Sequence, residues 1–240
     1  MSIELDPDST GENRKETQSK TKMVAIRVGI VAVIVVILFG TYLILDSSEE
    51  RVTGGDGDAQ TTVDVSRLLA NISDLNNPAV LLVMENEAEI VIELFPEHAP
   101  ITVANFISLV EAEFYNGLTF HRILDGFMMQ GGDPIGNGSG GSDATIIGEF
   151  SQNGINNPLR HMRGAVSMAR LGEGFDSASS QFFIMQADFN FLDSMYAVFG
   201  DVIYGMDAVD SIIEASNPLD SNGTILFAEQ PVIRVAAVIN

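Results

Sequence analysis

The amino-acid sequence predicts a mainly β domain, closed or nearly closed, preceded by one membrane-spanning helix. Three observations carry this expectation. Beyond residue 78, short runs of β-branched, aromatic and other apolar residues recur, separated by glycine-rich turns. Only two stretches there show helical spacing, which argues against the strand–helix alternation of a βαβ enzyme. Val28–Leu45, "VGIVAVIVVILFGTYLIL", carries no charge in 18 residues. As a helix it would extend about 27 Å, close to the hydrocarbon thickness of a bilayer.

Residues 1–27 read as a cytoplasmic tail. Arg14, Lys15, Lys20, Lys22 and Arg27 precede the apolar run and "DSSEE" follows it, so the positive-inside rule exports the remainder. "TYLILDSS" lacks a small-x-small cleavage site, which favours an uncleaved anchor at residues 28–45 over a signal peptide. Residues 46–77 read as a flexible linker, because "SSEERVTGGDGDAQTT" is too polar to bury a core. Within it, "VSRLLANISDL" suggests a short helix against either the domain or the membrane surface.

The domain spans residues 78–240. "AVLLVME" and "EIVIELF", separated by "NEA", read as a hairpin. In "APITVANFISLVEAEFYNG", Pro100 stands near a helix start; Val103, Phe106, Ile107, Val110 and Phe114 are helically spaced, and Asn116–Gly117 is the expected stop. Strands follow at "TFHRIL", "FMMQ", "AVSMA", "QFFIM" and "YAVFGDVI". A second helix fits "GMDAVDSIIEA", with Met206, Val209 and Ile213 on one face and Asn217-Pro218 ending it. "PVIRVAAVI" closes the chain as a strand.

Composition removes several function classes. Thirty-three acidic residues against 12 basic ones give a net charge of -21, which excludes a nucleic-acid partner. From residue 78 onward five arginines face 21 carboxylates, or 5 - 21 = -16, a solvated and self-repelling surface. With no cysteine there is no disulfide, thiolate metal site or cysteine nucleophile. "GNGSGG", Gly136–Gly141, fits G-x-G-x-x-G but has no helix after it, so it reads as a flexible loop. No G-x-S-x-G, Walker A or H-E-x-x-H sequence occurs, and His98, His121 and His161 lack ligand spacing. Neither metal nor cofactor is expected. Binding modules remain, together with enzymes that need no nucleophile, such as those that rotate a peptide bond.

"YNGLTFHRILDGFMMQGGD", followed by "SMAR", "SQFFI", "FLD" and "YAVFGDVIYGMD", resembles the cyclophilin-type peptidyl-prolyl cis-trans isomerases in the form common among bacteria. The resemblance covers residues 79–240. It implies a closed eight-stranded antiparallel β-barrel with two capping helices and a proline-binding groove on the outer wall. By the same resemblance Arg122, Gln130 and Phe183 are catalytic, and Phe127, Met128, Phe183 and Leu192 form the proline pocket with Tyr196 at its rim. Gln130 supports the arginine, the backbone at Ala169 and Arg170 pairs with the peptide, and Gln181 and Phe191 belong to the same groove. Three departures stand out: Phe191 and Tyr196 replace a tryptophan and a histidine common in eukaryotic members, and Arg170 replaces their usual asparagine.

The residues supply a physical counterpart. A guanidinium is costly to bury without partners, yet Arg122 sits among apolar neighbours. Strand alternation puts Phe120, Arg122 and Leu124 on one face, and Met128 with Gln130 on the neighbouring strand's face. The expected protein is therefore a monomeric, membrane-tethered isomerase domain acting on proline-containing polypeptides outside the cytoplasmic membrane, in a periplasm or at the cell exterior. The rival reading is a scaffold or chaperone that keeps the groove for recognition with little turnover.

Overall fold

The computed structural model describes residues 51–53, 62–64, 77–172 and 174–239. The apolar run at 28–45 lies outside them. Among the described residues no helix is long and apolar enough to cross a membrane. Strands β1 (Arg51–Thr53) and β2 (Thr62–Asp64) form a short antiparallel ladder within the stretch read as linker.

The hairpin expected at the start of the domain is present as β3 (Ala79–Met84) and β4 (Glu89–Leu94). Helix α1 (Pro100–Glu111) follows, then β5 (Thr119–Leu124), β6 (Met128–Asp133), β7 (Ala165–Met168), β8 (Phe182–Met185), β9 (Ala197–Tyr204), α2 (Met206–Ala215) and β10 (Ile233–Ile239). β3 to β10 build one antiparallel sheet in the order β10-β3-β4-β9-β7-β8-β6-β5. Alternation sends Leu82, Ile90, Ile92, Phe182 and Phe199 to its inner face, where Phe106 of α1 meets Tyr115, Phe182 and Phe199 at ring separations of 5.1 to 5.4 Å. β3 is buried on both faces, because Ala79, Leu81 and Val83 join an outer cluster with Val91 and Val235.

The barrel is not closed by a continuous ladder, which corrects the expectation. At its seam the sheet curls so that β5 and the approach to β10 touch through a single bridge, Thr119 to Val232. Three backbone bonds reinforce it: Phe120 N–H to the Pro231 carbonyl (2.9 Å), Ile233 N–H to Leu118 (2.8 Å) and Gly117 N–H to Ile233 (2.7 Å). Pro231 has no N–H to return, so regular pairing stops there.

Helix α1 also ends earlier than its sequence spacing suggests. Glu113 adopts a left-handed φ of 57°, and Phe114 sits in the turn beyond the helix, its N–H on the Leu109 carbonyl. Ala99 at the N-cap has no side chain to offer. Glu149 replaces it from 47 residues beyond Thr102: its carboxylate accepts the N–H of Ile101 (3.0 Å) and both the N–H and hydroxyl of Thr102 (2.7 Å each). Glu149 is itself buried, so charge-assisted bonds of about 1.5–3 kcal/mol each offset the loss of hydration. This contact also pins the loop that leads toward β7.

Across β4 and β9, Glu93 lies opposite Asp201. Burial first, and then the Glu93 charge, push the Asp201 carboxyl up to about 6. A folded-state pKa above the ordinary 3.8 means that the fold favours the protonated acid; this contribution is complete below about pH 4 and is lost as pH rises through 6. Asp201→Asn is therefore expected to match the parent near pH 4. Near pH 7 it should be more stable by about 1–2 kcal/mol after allowance for solvent screening, as read from urea unfolding at both pH values.

Candidate active site

Sheet register brings the expected residues together. Arg122 lies opposite Gln130, Gln130 opposite Phe183, Phe183 opposite Ser167, and Ser167 opposite Val198, so one row crosses five strands. Directly paired residues share a face. Here it is the outer one: Met128, Ala165, Phe183, Met185, Leu192 and Val198 form an apolar cluster apart from the inner core, with Phe127, Ala169 and Tyr196 packed against it. Phe120 does not share that face. The register shifts between Phe120 and Arg122, so Phe120 and Ile123 both point into the inner core and simple alternation fails at His121.

Arg122 is half-buried and held by neutral groups. Nε donates to the Asn222 carbonyl at 2.8 Å and Nη1 to Gln130 Oε1 at 3.3 Å. Among the described residues no carboxylate comes within ion-pair distance of it. Burial lowers the Arg122 pKa, while Tyr196 and Asp220 raise it, and the guanidinium stays charged. The Asn222 carbonyl is presented by a turn in which Asp220 Oδ1 accepts the N–H groups of Asn222 (2.9 Å) and Thr224 (3.2 Å).

The polar line continues away from Arg122. Gln130 Nε2 donates to Gln181 Oε1 (2.9 Å), and Gln181 Nε2 donates to the carbonyls of Gly138 (3.1 Å) and Gly140 (2.7 Å). The "GNGSGG" segment is thus an ordered support and not the flexible loop its composition suggests. Asp133 organises it: its carboxylate accepts the N–H groups of Ile135 (2.8 Å), Asn137 (3.0 Å) and Gly138 (2.6 Å). Burial raises the Asp133 pKa, but these amide bonds outweigh it and hold the carboxyl below the usual range. A Cβ on Gly140 would lie 2.1 Å from Asp133 Oδ1, so only glycine allows that approach. A polar hollow of about 230 Å³ adjoins, lined by Gln130, Gly140, Ser142, Thr145, Ala169 and Gln181.

Under the apolar cluster lies a layer that sequence reasoning missed. The buried His161 ring stacks on Phe183 (5.9 Å, 14°), and Tyr196 meets both rings edge-on. Asp193 accepts the His161 backbone N–H (2.8 Å) and contacts its Nδ1 (3.0 Å), while Nε2 lies 3.1 Å from Ser167 Oγ. Burial lowers the His161 pKa despite Asp193. Asp193, His161 and Ser167 have the order of a hydrolase triad, but Ser167 is fully buried and cannot reach a substrate. Their part is to tie the Leu192 segment to the strand beneath Phe183.

The remaining predicted residues divide. Arg170 lies over the rings of Phe150 (5.3 Å), Phe175 (5.4 Å) and Tyr196 (4.9 Å), and its Nε donates to the Met195 carbonyl, so its side chain fixes Tyr196. Ala169 N–H already donates to the Gln181 carbonyl (2.9 Å). Phe191 stands outside the cluster at 75 % exposure, while its neighbour Leu192 points in. A larger groove of about 610 Å³, between the end of α2 and the β3–β4 turn, holds none of these groups. Among the described residues no set of three His, Asp or Glu side chains could hold a metal ion.

Comparison with known proteins accounts for this arrangement. The family model described as cyclophilin type peptidyl-prolyl cis-trans isomerase/CLD matches residues 80–233. A peptidyl-prolyl cis-trans isomerase of Helicobacter pylori is 40 % identical over 141 residues, which cover 58 % of this chain and 83 % of that protein. One from Acinetobacter baylyi is 47 % identical over 158 residues, covering 64 % and 80 %; isomerase B of Bacillus subtilis is 45 % identical over 124, covering 52 % and 82 %. A crystal structure of a Cryptosporidium parvum cyclophilin in the presence of the dipeptide Ala-Pro superposes with a TM-score of 0.59 at 26 % identity, covering 68 % of this chain and 99 % of that one. The chain belongs to the cyclophilin-type peptidyl-prolyl cis-trans isomerase family, and the reaction of its domain is rotation about X-Pro bonds.

Asp133 supports Arg122 only through the loop and two glutamines. Asp133→Asn retains one acceptor oxygen and is expected to cost about 1–3 kcal/mol of stability. Amide exchange at Gly138 should speed up and kcat/KM should fall, although the side chain touches no substrate; unchanged exchange there would remove this support role.

Proposed function

We propose that the chain is a membrane-tethered isomerase whose domain works on proteins folding outside the cytoplasmic membrane, with Arg122, Gln130 and Phe183 carrying catalysis. The observation that carries the catalytic part is the guanidinium of Arg122, outside ion-pair distance of any described carboxylate and fixed by a carbonyl and an amide beside the Met128–Phe183–Leu192 cluster. The barrier to rotation is about 18–20 kcal/mol and arises from amide resonance. In the twisted state the proline nitrogen regains a lone pair, to which Arg122 donates. That bond is worth about 1.5–3 kcal/mol, or roughly 10- to 100-fold in rate.

An acceleration of about 10⁵ needs about 7 kcal/mol, so the cation is not sufficient. The apolar cluster supplies the rest by holding the ring, with Phe127, Met128, Phe183 and Leu192 as its walls and Tyr196 as its rim. It sheds water from the amide, while the acyl side is free to turn. Gln130 and Gln181 fix the cation. The backbone at Ala169 and Arg170 receives the peptide, its Ala169 N–H being already engaged within the fold. Phe191 takes an outlying contact.

Arg122→Ala is expected to lower kcat/KM for a proline peptide by about 10²-fold, with a change in melting temperature of only a few degrees. Arg122→Lys should recover little, since a lysine cannot reach Asn222, Gln130 and the substrate with one planar fork. Undiminished turnover in the alanine variant would refute the role. The tether rests on the uncharged run at 28–45 and the basic residues before it. Protease added to intact cells should remove the domain and spare the N-terminal tail; protection of the domain would overturn the proposed orientation.

A further inference from the structure

The apolar cluster does not end at the residues assigned to the proline ring. Phe127 meets Phe189 at 4.5 Å between ring centroids, and Phe189 remains 39 % exposed. Phe127 packs on the cluster and Phe189 on Phe127, so the pair extends one edge of it, on a domain of strongly negative net charge. Exposed apolar surface continuous with a pocket marks a place where a ligand is received.

The pair is built in advance of any ligand. Phe127 C=O accepts the N–H of Gln186 at 2.8 Å, and Gly126 N–H donates to Gln186 Oε1 at 2.6 Å, so the β5–β6 turn is fastened to the segment after β8. Phe189 N–H donates to the His161 carbonyl at 2.8 Å, and the Phe189 carbonyl accepts Leu192 N–H at 3.2 Å. Neither ring has to be ordered on binding, which lowers the entropic cost of a contact.

Register sets where this shelf stands. In the β6–β8 ladder Met128 pairs with Met185 and Gln130 with Phe183, so Gln181 lies beyond one end and Phe127 with Gln186 at the other. The polar hollow, Ala169 and Arg170 belong to the Gln181 end. A peptide whose proline sits over Phe183 therefore has one flank over polar groups and the other over Phe127 and Phe189. Accepting the proline groove described above, we propose that Phe189 sets the sequence preference of this isomerase by taking a large apolar or aromatic side chain next to the proline, on the flank away from Ala169 and Arg170.

The test uses the full chain and two peptide series, Ala-Xaa-Pro-Ala and Ala-Ala-Pro-Yaa, with alanine, leucine, phenylalanine or glutamate at the varied position. In one of the two series phenylalanine and leucine should lower KM about threefold to tenfold relative to alanine, the size of one aromatic contact, with kcat little changed. Phe189→Ala should raise KM for the phenylalanine peptide to the alanine-peptide value, and Phe189→Leu should keep part of the preference. The leucine variant preserves an apolar side chain at the site and keeps the test open should the alanine variant fold poorly. Isomerisation without preference in either series, or a preference that survives both substitutions, overturns the proposal and leaves the isomerase reading intact. No acceleration of any peptide by the unaltered chain would overturn both.

Discussion

A cation held by neutral acceptors is the constraint around which the outer face of this domain is arranged. A carboxylate beside Arg122 would stabilise the fold more simply, but it would cancel the charge that the proposed mechanism directs at a twisted amide. The chain instead spends a turn at Asp220–Thr224 to aim one carbonyl, and two glutamines to fill the opposite side. The carboxylate that anchors this arrangement, Asp133, stands two side chains and a loop away. Distance keeps its charge from the amide while its order is passed on through hydrogen bonds.

Inner core and groove are built from the same strands by alternation. Phe182 and Ile184 face inward while Phe183 and Met185 face outward, so β8 serves both with no additional element. The buried His161 layer extends this economy, since one imidazole joins the Leu192 segment, Phe183 and Ser167. Rigidity of the pocket wall is therefore a by-product of packing.

Much of this was legible in the sequence. Strand runs, both helices and the pairing of Arg122 with Gln130 follow from period and spacing, and Phe183 and Leu192 from motif resemblance. What was not legible has common causes. A bulge at His121 changes the face of Phe120 without changing residue type. The Asn222 contact is made by a main-chain carbonyl, which any residue could supply. Glu149 and Asp193 act across 47 and 32 residues, beyond the reach of local pattern. The "GNGSGG" run looked loose because glycine content speaks of permitted conformations; Asp133 decides which one is kept.

The seam carries a consequence for how the polypeptide is made. β10, the last strand, pairs with β3, the first of the sheet, and its approach also stitches to β5. A ribosome delivers those closing residues only after every other strand of the sheet. Until then β3, greasy on both sides, has an open border, and a nascent chain would depend on being shielded during its own birth.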